Sequence, residues 1–178
     1  MNISKIKTAK KVANFSLRLD NNPNKIKCDF LKEISLGYLN DSSPRVYLLT
    51  VDNIITKIGG SQQKGGIKGT MSFYVNAMQG SPGVARFVVH LLIHESLRNN
   101  QSVELFMIRS EKVLTNVPGL FKFSKIYVSG FKEMESLCKQ DYYNIEKKYP
   151  IWNFQENGES YPKELSRLHN EYHQSRLK

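Results

Sequence analysis

The run RVYLLTV at residues 45–51 limits what this chain can fold into more than any other stretch. It is dense in β-branched and aromatic residues, is bounded by Pro44 and by Asp52-Asn53, and is followed at once by IITKIGG. That pattern predicts two apolar strands joined by a tight turn. Tyr47 stands in the first strand and Lys57 in the second, ten residues on, so a hairpin can bring the phenol and the ammonium to one place. Gly59, Gly60, Gly65, Gly66 and Gly69 then fall within eleven residues, which predicts backbone that passes close to something or bends where a Cβ would clash. Val46 to Tyr74 therefore reads as a hairpin, a glycine-rich basic loop with Lys64 and Lys68, and a segment carrying Ser72, Phe73 and Tyr74.

The later segments supply flanking elements. VARFVVHLLIHESLR (84–98) is apolar at Val84, Phe87, Val88, Leu91, Leu92 and Leu97, which fits a buried helix with Arg86 and His90 one turn apart on its other side. SVELFMIR (102–109) alternates as a third strand. In FKEMESLCKQDYYNIEKKYP (131–150), Met134, Cys138, Tyr142, Ile145 and Tyr149 make one apolar stripe on a helix that Pro150 would end. Glu135 and Asp141 lie on the shoulders of that stripe, and Gln140 points roughly away. VANFSLRLD (12–20) alternates loosely enough for a strand, 28–39 stays open between a short helix and an irregular segment, and 111–129 has no clear period. The stretch 158–178 reads as a charged amphipathic helix.

A chain of 178 residues, 40 % of them hydrophobic, is expected to build one domain with its own core. Its 26 Lys and Arg against 16 Asp and Glu give +10, which favours a polyanionic partner and raises the prior for nucleic acid. Lys5, Lys7, Lys10 and Lys11 mark an N-terminal arm that either touches phosphate or is a solvated tail. No apolar run approaches the roughly 20 residues that cross a bilayer, and MNISKIKTAKK lacks the apolar core of a signal peptide. A soluble, cytoplasmic protein without a membrane partner is the expectation. Cys28 and Cys138 lack metal-site spacing. His90 with His94, and His169 with His173, have a spacing that can ligate zinc, but no HExxH occurs and zinc is not expected. The absence of a Walker pattern argues against a nucleotide hydrolase.

Taken together, the VYLLT strand, the KIGGS strand, the helix bearing Arg86 and a final helix before YPIWN resemble the GIY-YIG nucleases. Tyr47 fits the tyrosine that ends the first motif, and Lys57-Ile58-Gly59 fits the second with lysine in place of tyrosine, as in a restriction-endonuclease branch of that family. Arg86 with His90 matches the family's arginine and the residue four on; Lys68 is the gapless alternative, a point charge without the bidentate fork. Pro150-Ile151-Trp152-Asn153 matches the Pro-x-x-Asn ending. About three turns back from the proline, where the family's metal-binding Glu belongs, stands Gln140, with Asp141 next to it and Glu135 a turn earlier. The resemblance covers residues 45 to 155 and places the metal at position 140, with Glu135 as the alternative.

The resemblance implies an α/β (α+β) domain with a small three-stranded antiparallel sheet flanked by helices, residues 1–44 and 156–178 being peripheral extensions. It also implies Mg²⁺, or another divalent cation such as Mn²⁺, and hydrolysis of double-stranded DNA. The reading is a type II restriction enzyme, a homodimer or higher homo-oligomer on a palindromic site, with a methyltransferase for the same site as a further expected partner. A nicking, repair or homing relative is the alternative, and a non-catalytic basic nucleic-acid-binding module is the reading from another class. Residue types give the chemistry independently. A phenolate about 4 Å from an ammonium gains on the order of 4 kcal/mol of gross attraction at intermediate dielectric. Tyr47 is thus the base or water-orienting group and Lys57 the cation beside it. Arg86 stabilises phosphate, His90 orients or relays a proton, and Tyr74 is a further member. Lys64, Lys68, Lys10 and Lys11 contact DNA.

Overall fold

The computed structural model describes residues 1–111, 113–128 and 130–176. A 3-10 turn at Ile3–Lys5 leads into β1 (Lys10–Leu17), β2 (Ile26–Phe30) and the short α1 (Leu36–Asn40). The hairpin β3 (Arg45–Val51) and β4 (Ile54–Ser61) follows, then α2 (Gly66–Val75), α3 (Val84–Arg98) and β5 (Val103–Arg109). A second hairpin, β6 (Val113–Pro118) and β7 (Phe123–Val128), precedes α4 (Phe131–Glu146) and α5 (Lys163–Ser175). Asp52 and Asn53 turn the first hairpin at φ 48° and 65°, the left-handed pair that a two-residue turn demands.

Five antiparallel strands form the main sheet, in the order β2-β1-β5-β3-β4, and β6-β7 is a separate two-stranded sheet. This corrects the expectation of a small three-stranded sheet. The reason lies in the first thirty residues, which are not a peripheral extension: they supply β1 and β2, with β1 pairing to β5 and β2 to β1. Lys10 and Lys11 pair with Met107 and Phe106 of β5, Lys11 makes an ion pair with Glu104, and Lys10 lies over the Tyr38 ring, 5.3 Å from its centroid. Val12, Ala13 and Phe15 are buried between them. Met1 and Ile3 are also buried, packed with Ile55, so the chain's first residues are anchored on the sheet while Lys5, Lys7 and Lys10 stay exposed.

Both faces over β3 are covered, which is why all seven of its residues are buried and why the strand reads as an unbroken apolar run. On one face Tyr47, Leu49, Leu105 and Met107 pack with Ile67 and Met71 of α2 and Val89 and Ile93 of α3. On the other, Val46, Leu48 and Ile58 meet Tyr142, Met134 and Cys138 of α4. Arg45 is buried too, and its guanidinium donates to the Asp41 carbonyl at 2.6 Å and the Gln63 carbonyl at 3.3 Å, fixing the chain on either side of the hairpin. The glycine-rich stretch is mostly not a loop. Gly66, at φ 68°, presses against α1, where a Cβ would lie 2.1 Å from the Leu39 carbonyl oxygen, and α2 starts there.

β4 is an edge strand, and the segment after α4 closes it. The Trp152 N–H donates to the Thr56 carbonyl at 2.8 Å. The Asn153 side chain accepts from the Ile58 N–H and donates to the Ile58 carbonyl, both at 2.9 Å, as a neighbouring strand would. The helix α4 stops at Glu146, where Lys147 turns left-handed at φ 58°, before it reaches Pro150. No helix among the described residues is long and apolar enough to cross a membrane.

Candidate active site

Tyr47 and Gly59 are cross-strand partners, and the phenol lies flat across the glycine. A Cβ at 59 would stand 2.3 Å from the Tyr47 hydroxyl. The hydroxyl meets that of Tyr74, from the last turn of α2, at 2.6 Å, so one phenol donates to the other. Burial pushes the Tyr47 phenol well above its ordinary range, and Tyr74, Glu135 and Glu156 add to the rise. Tyr74 is raised by burial as well, with its bond to Tyr47 and the nearby Arg86 pulling the other way. Both groups are neutral phenols at pH 7.

Gly60 opens the opposite side of the same strand. A Cβ there would meet a Glu135 carboxylate oxygen at 2.4 Å, so the absence of a side chain lets the carboxylate reach the sheet edge. Glu135 pairs with Lys139 one turn on, at 2.6 Å, and Lys139 also bonds Glu156. The ammonium thus bridges two carboxylates. Burial opposes the charge on Lys139, but its bonds to Glu135 and Glu156 hold it above the ordinary range. Lys57 donates to the Trp152 carbonyl at 3.4 Å. Burial lowers it, Glu156 and Glu135 pull it up, and Lys139 pushes it down. The four charged groups therefore share one field, at the strand edge that Asn153 closes. Asn153 also donates to Glu156 at 3.2 Å.

The structure thus brings together Tyr47, Lys57, Tyr74 and Glu135 from the residues singled out in the sequence. Arg86, in the first turn of α3, is exposed; its guanidinium stacks on Phe73, 4.1 Å from the ring centroid, and reaches Tyr74 electrostatically. Gln140 is elsewhere: it is exposed and donates to Asn144 at 2.8 Å. The helix ends at Glu146, ahead of Pro150, and eleven residues back from that end, three turns, stands Glu135. His90 is also apart from the open site. It is fully buried, with Nδ1 donating to the Tyr74 carbonyl at 2.8 Å and Nε2 accepting from the Lys25 N–H at 3.4 Å. Neither nitrogen is free to relay a proton, so His90 props the end of α2. Burial lowers it to about 4.

Lys64 and Lys68 are exposed before and on the first turn of α2, while Lys10 and Lys11 are strand residues engaged with Tyr38 and Glu104. Lys139 and Glu156 were not singled out in the sequence. The signal for Lys139 was its place four residues after Glu135, on the same face of a helix; Glu156 had none. Among the described residues no three His, Cys, Asp or Glu side chains cluster as a metal site. The donors at the edge are two carboxylates already gathered around one cation, oxygen ligands of the kind that suit Mg²⁺ or Mn²⁺.

No protein-family model matches the sequence, and no curated protein matches it. The fold does have counterparts among solved structures. A mutant of bacteriophage T4 EndoII superposes with a TM-score of 0.56 at 16 % identity, over 86 % of this chain and 98 % of that one. The restriction endonuclease HPY188I in complex with product DNA superposes with a TM-score of 0.50 at 16 % identity, over 85 % of this chain and 84 % of that one. The chain therefore has a nuclease-like fold.

Proposed function

We propose that this chain is a metal-dependent DNA endonuclease of the GIY-YIG type, built like the restriction enzymes of that family that carry lysine in the second motif. The observation that carries the reading is the pair of adjacent glycines in β4, one accommodating the Tyr47 phenol and the other the Glu135 carboxylate. Two side chains of complementary chemistry, from a strand and a distant helix, converge on one edge. The endonuclease fold of both structural counterparts and the net charge of +10 support DNA as substrate. With Glu135 supplying the carboxylate that position 140 lacks, a non-catalytic binding module loses its main support.

Phosphodiester hydrolysis needs a positioned water, charge relief at the phosphorane and help for the departing oxygen. Tyr47, a neutral phenol at rest, orients the water through its hydroxyl, which its hydrogen bond to Tyr74, 2.6 Å away, holds in place. Lys57 adds positive charge at the same edge, in the field of Glu135 and Glu156, where it would relieve charge building on the phosphate. Arg86, the exposed cation beside Tyr74, faces the phosphate and can grip it bidentately. Glu135, with Glu156, would hold Mg²⁺ or Mn²⁺, which would supply positive charge for the leaving oxygen. One such site cuts one strand, so double-strand cleavage calls for two copies on a two-fold site. A plasmid incubated with the protein and Mg²⁺ is expected to be linearised, EDTA is expected to stop it, and Tyr47→Phe should slow it about 10²-fold or more. Retarded but uncut plasmid in Mg²⁺ would return the chain to the binding-module reading.

A further inference from the structure

His169 and His173 take no part in the carboxylate edge, and they share a third partner. Both stand on α5, one turn apart, and both Nε2 atoms point at the carbonyl oxygen of Pro82, just ahead of α3. His169 Nε2 lies 2.9 Å from that oxygen, His173 Nε2 lies 3.1 Å from it, and the two nitrogens are 3.0 Å apart. These three contacts cannot all be hydrogen bonds. Each nitrogen can donate to the carbonyl only as N–H, and two N–H groups cannot then bond each other. If one gives up its proton to accept from the other, its contact with the carbonyl sets two acceptors face to face.

A cation resolves all three contacts at once. Two imidazole nitrogens and a carbonyl oxygen at mutual separations of 2.9, 3.1 and 3.0 Å form a nearly equilateral triangle of lone-pair donors. An ion about 2.1 Å from each would subtend angles near 90°, one face of an octahedron. Imidazole in that number selects a first-row divalent ion such as Zn²⁺ or Ni²⁺ over Mg²⁺. The surroundings hold the triangle in place. His169 packs edge-on to Phe87, 5.3 Å between centroids, His173 packs on Tyr172, and Tyr172 donates to the Gly80 carbonyl at 3.2 Å.

We infer that His169, His173 and the Pro82 carbonyl form a binding site for a divalent transition-metal ion, distinct from the carboxylate edge and completed by water. Its effect is structural: the ion ties α5 to the segment that starts α3, four residues before Arg86. The inference does not depend on the nuclease reading.

The test uses the full chain without an affinity tag, freed of metal and titrated with Zn²⁺ by calorimetry. One equivalent should bind with micromolar affinity, and saturating Zn²⁺ should raise the melting temperature by several degrees. His169→Gln and His173→Gln should each weaken binding at least tenfold and remove the thermal shift, while His94→Gln keeps both. A measurement without substitution guards against misfolded variants: Zn²⁺ added to the wild-type chain should move the imidazole nitrogen resonances of His169 and His173. Unmoved resonances, or full binding in His169→Gln, would overturn the assignment.

Discussion

A methyl group at position 60 should be enough to disarm the edge. Its Cβ would sit 2.4 Å from the Glu135 carboxylate, which can swing away, and 3.0 Å from the Glu135 Cβ, which can yield only by a small shift of α4, so Gly60→Ala should fold with some loss of stability and lose about 10²-fold or more in cleavage rate. The same change at Gly59 meets the Tyr47 ring, buried and bonded to Tyr74. Gly59→Ala should therefore destabilise the fold as well, by about 1–3 kcal/mol in urea unfolding. Both glycines refuse a side chain because something else already fills the space. His90 makes a different prediction. Folded, it titrates at about 4 against an ordinary 6.5, so the unfolded chain binds the proton first. Its contribution is complete above about pH 6.5 and is lost as the pH falls toward 4, amounting to about 3 kcal/mol in full. Urea midpoints at pH 7 and pH 4 should converge in His90→Gln relative to the wild type; an unchanged pH slope would contradict the buried neutral imidazole.

The elements differ in how clearly the sequence announces them, for physical reasons. β3 is buried on both faces, its turn uses the two residue types that tolerate left-handed backbone, and α3 carries an apolar stripe, so each is visible in a short window of sequence. β1 is only half visible: 12–20 alternates enough for a strand, but Lys10 and Lys11 are held by Glu104 and Tyr38 from other parts of the chain, and no local window contains those partners. The end of α4 is hidden in the same way. Nothing in NIEKKYP says that the helix stops at Glu146 and not at the proline, and a count of three turns reaches 135 from the first end and the neighbourhood of 140 from the second. Asn153 was legible as a motif residue but not as the clamp on Ile58. Removing it leaves a backbone donor and acceptor without partners at a closed strand edge. Asn153→Ala should lower the unfolding free energy by about 2–3 kcal/mol and loosen Lys57 and Glu156 with it. Hydrogen exchange at the Ile58 amide reports the opening, and protection equal to wild type would rule out the clamp.

At the scale of the whole molecule, charge and topology divide the labour. The sheet holds Tyr47 and Lys57, α2 and α3 bring Tyr74 and Arg86 over one face, and α4 brings Glu135 to the edge from the other. Lys64 and Lys68 are exposed near this cluster's sequence neighbours, whereas Lys11 is already paired with Glu104. Replacing Lys64 and Lys68 with Gln should reduce the slope of log K against log salt for DNA binding by about two, roughly one for each phosphate no longer neutralised. Lys11→Gln should leave that slope alone, and an equal effect from Lys11 would put DNA on β1 instead. The central claim is that Glu135, not position 140, completes the site of a nuclease. The most direct measurement is single-turnover cleavage of plasmid in Mg²⁺ by the wild type, Glu135→Gln and Gln140→Ala, each checked for DNA retardation. Cleavage should fall by about 10²-fold or more in Glu135→Gln with retardation kept, and Gln140→Ala should cut at the wild-type rate. Cleavage undiminished in Glu135→Gln, or abolished in Gln140→Ala, would contradict it.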